Sequence, residues 1–388
     1  MLNKIMVLSF YTPWVSGGGH RPVCFLEEDI RKGREVVFVY VSESEAELMK
    51  NYQMAYDSKL KLAKYEKKTN TLSFYDVEKS ECYKTVDLYK FTLEWRPDVV
   101  RSHNPVQDYI NFLYFCMENN LPHVYDQMDY WDGFPVKPWG EGTEKKYIEL
   151  ASSCVTISHW LKKKNEDVEN MYIIPNGIKR NFLNKLMEPD ISKVATHFEN
   201  LDNCVLYVGA IWPEWFDWDV VKYIVKSRPE YKFIFIGPYI SSAEENDGRA
   251  VADIVKEVSQ YNNAIFLGQI AHEDIIPWLK RSKVGLIPFV VNDVTEACSP
   301  LKCYEYLSAY LPVVSSALPE ITDCPSVSLT SSKEEFLQEI DRYINTKRKE
   351  EDYLKIKKFN LQNTWECRSD VLDNVMMSAI RKVKEKAC

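Results

Sequence analysis

The sequence predicts an α/β protein built from two Rossmann-like, doubly wound domains. Three observations carry that prediction. The chain has 388 residues, two to three times the usual size of one domain. Short apolar runs rich in Val, Ile, Phe and Tyr recur along it, each followed by a polar or Gly/Pro loop and a stretch with helical spacing, which is the βαβ rhythm. The runs fall into two sets, separated by a polar stretch from Arg180 to Asn203 that carries no strand pattern.

In order, the first set is Ile5 to Phe10, Val36 to Val41, Val99 to Ser102, His123 to Tyr125, Val155 to Ile157 and Tyr172 to Ile174. The second is Val205 to Val208, Phe233 to Ile236, Ile265 to Leu267, Val284 to Pro288, Val313 to Ser315 and Val327 to Leu329. Six strands alternating with helices give each domain a mostly parallel sheet. A charged run from Lys59 to Phe74 breaks the rhythm and reads as an exposed helix or hairpin inserted in the first domain. The expected domains are residues 1–180 and 203–358, with a C-terminal helix over 359–388.

Lys and Arg number 49 against 57 Asp and Glu, a net charge of -8, which disfavours nucleic-acid binding. The ten cysteines show no CxxC pair and no zinc-like spacing, and read as buried thiols of a reducing cytoplasm. The N-terminal run reads as a first strand rather than a signal peptide. No run of about 18 apolar residues suggests a transmembrane helix. Trp160, Leu161 and Lys162 to Lys164, with Lys382, Lys384 and Lys386, could rest on anionic lipid at the inner face of a membrane; the alternative is a solvated helix face and a frayed terminus.

Ligands of open parallel sheets bind beyond the carboxyl ends of the strands. The richest loop there follows Val284 to Pro288, passes Asn292, Asp293, Thr295 and Glu296, and enters a helix at Ser299-Pro300. Ser at the N-cap and Pro at the first helical position are the expected start. Such a start offers unpaired N–H groups and partial positive charge to a diphosphate. Lys302 in the first turn opposes the helix dipole, a conflict that an anion would relieve. Glu305, three residues on, could accept two ribose hydroxyls. An ordinary Lys/Glu pair on a solvated helix is the alternative.

The run Ser299-Pro300-Leu301-Lys302-Cys303-Tyr304-Glu305-Tyr306-Leu307-Ser308-Ala309-Tyr310-Leu311-Pro312-Val313-Val314 resembles the donor-site signature of the large retaining glycosyltransferase family with the GT-B fold. That is family 4 of the carbohydrate-enzyme classification, the glycosyl transferases group 1. Gly17-Gly18-Gly19, Lys32-Gly33-Arg34-Glu35-Val36, Pro175-Asn176-Gly177, Tyr207-Val208-Gly209-Ala210 and Ile236-Gly237-Pro238 follow in the family's order. The resemblance implies two domains facing a central cleft, with the C-terminal helix crossing back onto the first.

The expected donor site is Gly18, Gly19, Gly209, Trp212, Ser299, Pro300, Leu301, Lys302 and Glu305, of which the resemblance implies the Gly-rich loop, Ser299 to Lys302 and Glu305. Lys302 and Glu305 would carry the catalytic step by stabilising the departing diphosphate and holding ribose. Acceptor candidates are His20, which ends the Gly-rich loop, and His103, Asp126, Asp129 and Ser158, which follow strands. No metal and no cofactor is expected; the partners are a nucleotide-sugar donor and a carbohydrate or glycolipid acceptor, as in polysaccharide or glycolipid assembly.

Two departures stand out. The family's first glutamate, eight residues before Glu305, is Ala297 here, with Glu296 beside it. The basic pair after the second domain's first strand is replaced by Trp212-Pro213-Glu214-Trp215-Phe216-Asp217-Trp218, a variant resembling a subgroup in which Lys302 supplies the missing charge. The tryptophans could wall the cleft or pack helix to sheet. A sugar-nucleotide epimerase or hydrolase of the same fold, and a non-catalytic nucleotide-sugar-binding module, are the alternative functions. A nicotinamide-dependent dehydrogenase lacks support, because Ser16-Gly17-Gly18-Gly19-His20 does not have the GxGxxG spacing.

Overall fold

A computed structural model describes residues 2–13, 21–41, 59–76, 81–134, 140–187, 203–212, 215–239 and 248–387. It divides into two units, residues 1–175 with 365–388 and residues 176–364. The division thus falls a few residues before the expected first boundary and a few after the expected start of the C-terminal helix.

In the first unit the strands are β1 (Lys4–Ser9), β2 (Glu35–Tyr40), β3 (Leu60–Glu66), β4 (Thr71–Asp76), β5 (Glu81–Asp87), β6 (Val99–Ser102), β7 (His123–Gln127), β8 (Ser153–Thr156) and β9 (Met171–Ile173). The helices are α1 (Arg21–Arg31), α2 (Leu88–Trp95), α3 (Ile110–Glu118), α4 (Thr143–Leu150) and α5 (His159–Lys164). The sheet order is β5-β4-β3-β2-β1-β6-β7-β8-β9. Strands β1 and β2 are buried at nearly every position, the continuous apolar pattern of a parallel sheet covered on both faces.

The interrupting run is a hairpin. Strand β3 pairs parallel with β2 and antiparallel with β4, and β4 pairs antiparallel with β5. The run covers β3 and most of β4, and with β5 beyond it the sheet gains three strands. Its outermost strand, β5, is exposed almost throughout, as the edge of a sheet must be.

The second unit contains β10 (Cys204–Val208), β11 (Lys232–Ile236), β12 (Ala264–Gly268), β13 (Val284–Ile287), β14 (Val313–Ser316) and β15 (Val327–Thr330). Its helices are α6 (Arg180–Met187), α7 (Trp218–Ser227), α8 (Gly248–Val258), α9 (Ile276–Arg281), α10 (Asp293–Glu296), α11 (Leu301–Ser308), α12 (Lys333–Asn345) and α13 (Glu350–Gln362). All its strand pairs are parallel, in the order β12-β11-β10-β13-β14-β15. Part of the stretch expected as linker is therefore helix α6, whose Phe182 is buried in this unit's core.

The last helix, α14 (Trp365–Ala387), belongs to the first unit. Trp365, Leu372, Val375, Met376 and Ala379 bury one of its faces, with Trp365 edge-on to Phe25 at 5.2 Å. Asp373 bridges Arg34 at 2.5 Å and Lys32 at 2.8 Å, and Arg34 continues to Asp29 and Asp29 to Arg101, both at 2.8 Å.

The expectation of uniformly buried thiols is corrected. Cys24, Cys116, Cys154, Cys204 and Cys303 are buried, whereas Cys82 is exposed on the edge strand β5 and Cys298, Cys324 and Cys367 are half-buried. Lys164 places its ammonium 4.3 Å from the Tyr130 ring centroid and 5.4 Å from that of Trp160, and Lys382 bonds the Asn170 side chain. No helix among the described residues is long and apolar enough to cross a membrane.

Candidate active site

The strand order of the second unit reverses between β10 and β13, and a crevice opens beyond the carboxyl ends of strands at such a point. These two strands pair only through Val205 with Val284 and Leu206 with Gly285. Tyr306 of α11 bridges the gap beyond. Its hydroxyl accepts from the Val208 N–H at 2.8 Å and donates to the Leu286 carbonyl at 3.3 Å. The ring lies over Gly285, where a Cβ would stand only 2.5 Å from it; glycine is required there for this close approach.

One turn earlier on the same helix, Lys302 enters the crevice. Its Nζ is 4.9 Å from the Tyr207 ring centroid, 4.2 Å from that of Phe289, and 3.4 Å from the Tyr207 hydroxyl. Gly209 leaves the room: with φ of +139°, it would put a Cβ 3.0 Å from both Cε and Nζ of Lys302. The ammonium is thus held by aromatic faces and makes no ion pair among the described residues. Burial lowers its pKa to about 8, against small opposing effects of Cys298 and Glu305.

The helix start differs from expectation. Pro300, with ψ of 112°, is the capping residue; helical geometry begins at Leu301, and no side chain caps the first turn. Ser299 is buried and engaged elsewhere. Its hydroxyl accepts from the Asn176 N–H at 3.3 Å and lies 3.3 Å from the Tyr304 hydroxyl, while its carbonyl accepts from the Asn176 side chain at 2.8 Å. Asn176 of the Pro175-Asn176-Gly177 motif therefore fastens the entrance to α11 inside the second unit. The first-turn amides keep no side-chain competitor for an anion.

Glu305 lies on α11 with its Oε1 2.6 Å from His272 Nε2. His272 begins the turn after β12 and packs its ring 4.9 Å from that of Phe182. His272 was not among the expected site residues, although the rule that selects loops at carboxyl ends of strands applies equally to Ala271-His272. Ala297 is buried and Glu296 half-buried in the short helix α10, whose start is secured by a reciprocal Asn292/Thr295 cap.

Of the tryptophans, Trp215 and Trp218 pack against the core. Trp212, which is half-buried, stacks on Trp215 at 5.4 Å.

In the first unit the order reverses between β1 and β6. Asn104 ties the two strand ends together, its Oδ1 accepting from the Phe10 N–H at 3.1 Å and the Ser9 hydroxyl at 3.3 Å. His103 and Asp126 are brought together, with Nδ1 to Oδ2 at 3.0 Å, and Arg21 at the start of α1 donates from Nε to both Asp126 oxygens at 2.9 and 2.8 Å. All three side chains are buried. Burial would raise the Asp126 pKa, but Arg21 and His103 outweigh it and hold the carboxyl well below its ordinary range.

Asp126 is thus a buried ion-pair partner at the end of β7. His103 Nε2 has no hydrogen-bond partner among the described residues, and burial is the main cause of a lowered His103 pKa. Asp129 rises to about 7, first through burial and then through the charge of Glu144. Ser158 is fully buried and caps α5 by accepting from the Leu161 N–H at 3.1 Å. Gly18, Gly19 and His20 lie outside the described residues, as do Pro213 and Glu214. Among the described residues no cluster of three or more His, Cys, Asp or Glu side chains could hold a metal.

Residues 202–346 match the family model described as Glycosyl transferases group 1. Over 186 residues the chain is 24% identical to TuaH of Bacillus subtilis (strain 168), whose name provisionally assigns it to teichuronic acid biosynthesis as a glycosyltransferase. The match covers 46% of this chain and 44% of that protein, so the chain spans less than half the relative's length. Among solved structures, a sucrose-phosphate synthase from Thermosynechococcus elongatus superposes with a TM-score of 0.70 at 12% identity, covering 98% of this chain and 100% of that one. HepE of Anabaena, in complex with UDP and glucose, gives 0.64 at 13% identity and 99% coverage of both chains. The fold is GT-B, α/β with two Rossmann-like units.

Proposed function

We propose that the chain is a glycosyltransferase that moves a sugar from a nucleoside-diphosphate donor to a hydroxyl of a carbohydrate or glycolipid acceptor, with retention of anomeric configuration. The observation that carries this reading is the Lys302 ammonium, held against two aromatic rings at the β10/β13 crevice without a counter-ion among the described residues. A diphosphate supplies the missing charge, and the charge grows as the sugar departs, so Lys302 and the first-turn amides of α11 stabilise the transition state more than the bound donor. Glu305 is assigned to ribose, the role implied by the family resemblance. The resemblance is also the ground for retention and for polysaccharide or glycolipid assembly. The match over residues 202–346 supports a donor site in this unit, and the UDP of the HepE complex makes UDP-sugars the first donors to try.

In the first unit, His103, Asp126 and Asp129 are assigned to the acceptor. The unpartnered His103 Nε2 is the atom that would meet the acceptor hydroxyl, with Asp126 and Arg21 fixing its ring. Incubation with sugar-labelled UDP donors and candidate glycan or glycolipid acceptors tests the reading. Label appearing on an acceptor supports it. Label released as free sugar, or retained in an isomerised donor, would point to the hydrolase or epimerase alternative, and an intact donor throughout would point to a binding module.

A further inference from the structure

A cavity of about 400 Å³ lies in the second unit where Pro325 and Ser326 lead into β15, α12 ends and α13 begins. Because the sheet is parallel, this is the opposite end from the Lys302 crevice. Five cations line the cavity, Arg342, Lys347, Arg348, Lys349 and Lys355, against the single carboxylate of Asp352.

Two of the five are already answered. Arg342 pairs with Glu339 at 2.6 Å and Lys355 with Glu351 at 2.7 Å. Lys347, Arg348 and Lys349 make no ion pair among the described residues. Three cations against Asp352, whose carboxylate accepts from the Lys349 N–H at 3.2 Å, leave an excess of about two positive charges. This excess stands on a chain whose net charge is -8.

The Arg348 guanidinium is fixed 4.4 Å over the Tyr353 ring, and its Nη1 is buried with no hydrogen-bond partner. An unsatisfied buried donor on a guanidinium is costly unless a ligand completes it. The 13-residue helix α13 begins at the same place and adds the partial positive charge of its amino end.

We propose that this cavity is a second anion site, taking a phosphate or diphosphate group through Arg348, Lys347 and Lys349. A doubly charged tetrahedral oxyanion matches the excess charge and can receive the paired donors of an arginine. None of these residues takes part in the donor site proposed above, so the two assignments stand or fall separately.

Calorimetric titration of the full chain with pyrophosphate and with inorganic phosphate tests the site. It is run on Lys302→Ala, which isolates the cavity from the donor crevice, and on wild type with inorganic phosphate alone. Binding is expected in both proteins. It should weaken roughly tenfold or more in Lys347→Gln/Arg348→Gln, equivalent to losing one charged hydrogen bond, while that variant melts at the wild-type temperature without anion. Single Lys347→Gln, an exposed change, repeats the test should the double variant fold poorly.

Flotation with phosphatidylcholine vesicles, with and without phosphatidic acid, identifies the source. Retention only by phosphatidic acid, lost in the same variants, assigns a lipid headgroup; binding of free phosphate without vesicle retention assigns a soluble ligand. No binding in any arm, or equal binding by wild type and the Lys347/Arg348 variants, would overturn the site.

Discussion

Lys302 is stabilised in its neutral form by burial and in its charged form by ring faces and by whatever anion it meets. Its pKa of about 8 fixes a pH dependence whose sign can be worked out. Below about 8 the free protein carries the ammonium and attracts a diphosphate. Above it the charge is lost, so donor affinity should fall as pH rises through about 8, measured as nucleotide Kd across pH 7 to 9.5, a window chosen to bracket that value; a flat profile would remove the charge from the site. Lys302→Ala should lower kcat by roughly 10²- to 10³-fold, the usual cost of removing one group that stabilises developing negative charge.

Glu305→Ala should act on binding instead, weakening nucleotide Kd by roughly 10- to 100-fold, as loss of charged hydrogen bonds does. Lys302 and Glu305 share one helix face by their i,i+3 spacing, which alone fits an ordinary ion pair as well; the resemblance of the run Ser299 to Val314 singled them out. His272 lies in a strand-end loop that the carboxyl-end rule selects, but its pairing with Glu305 was not legible, since it arises only because β12 and its loop end beside α11. Ser299 looked like a helix cap because Ser-Pro often is one, yet the Asn176 contact that claims its hydroxyl is separated by over a hundred residues.

At the scale of elements, Tyr306 of α11 stands in for strand pairing between β10 and β13. Tyr306→Phe leaves the Val208 N–H without its 2.8 Å partner, and should destabilise the second unit by about 1–3 kcal/mol, read by chemical denaturation. Gly285→Ala should cost more, because its methyl would occupy the ring's position and displace the helix that carries Lys302 and Glu305. The twelve expected strands were legible because parallel strands read as continuous apolar runs, even where β9, β12 and β15 lie at sheet edges. Strands β3 and β4 were legible only as a break in rhythm, a charged run that hairpin and exposed helix share, and β5, exposed almost throughout at the sheet edge, was not expected.

For the whole molecule, the chain order of the units is not their spatial grouping, since α14 completes the first unit from the far end of the sequence. Removing residues 365–388 should expose Phe25 and collapse the cooperative unfolding of that unit, followed by calorimetry. Burial would raise the Asp373 pKa, but the hydrogen bonds from Arg34 and Lys32 outweigh it and lower the value. Its stabilising contribution is therefore present above the ordinary aspartate range and lost as pH falls through the lowered value, so Asp373→Asn should flatten the acid side of the stability profile. That this helix returns to the first domain was expected from the family resemblance; the ion pairs that orient it were not legible, because their partners Lys32 and Arg34 lie more than three hundred residues away.

The most direct measurement is a thermal-shift panel of UDP, GDP, ADP and their common sugar conjugates on wild type, Lys302→Ala and Glu305→Ala. Ligand at about 100 times Kd stabilises a folded protein by roughly 2.7 kcal/mol. A donor site around α11 predicts a rise in melting temperature with one base that is lost in both variants. An equal rise in the variants, or none with any nucleotide in folded wild-type protein, would contradict it.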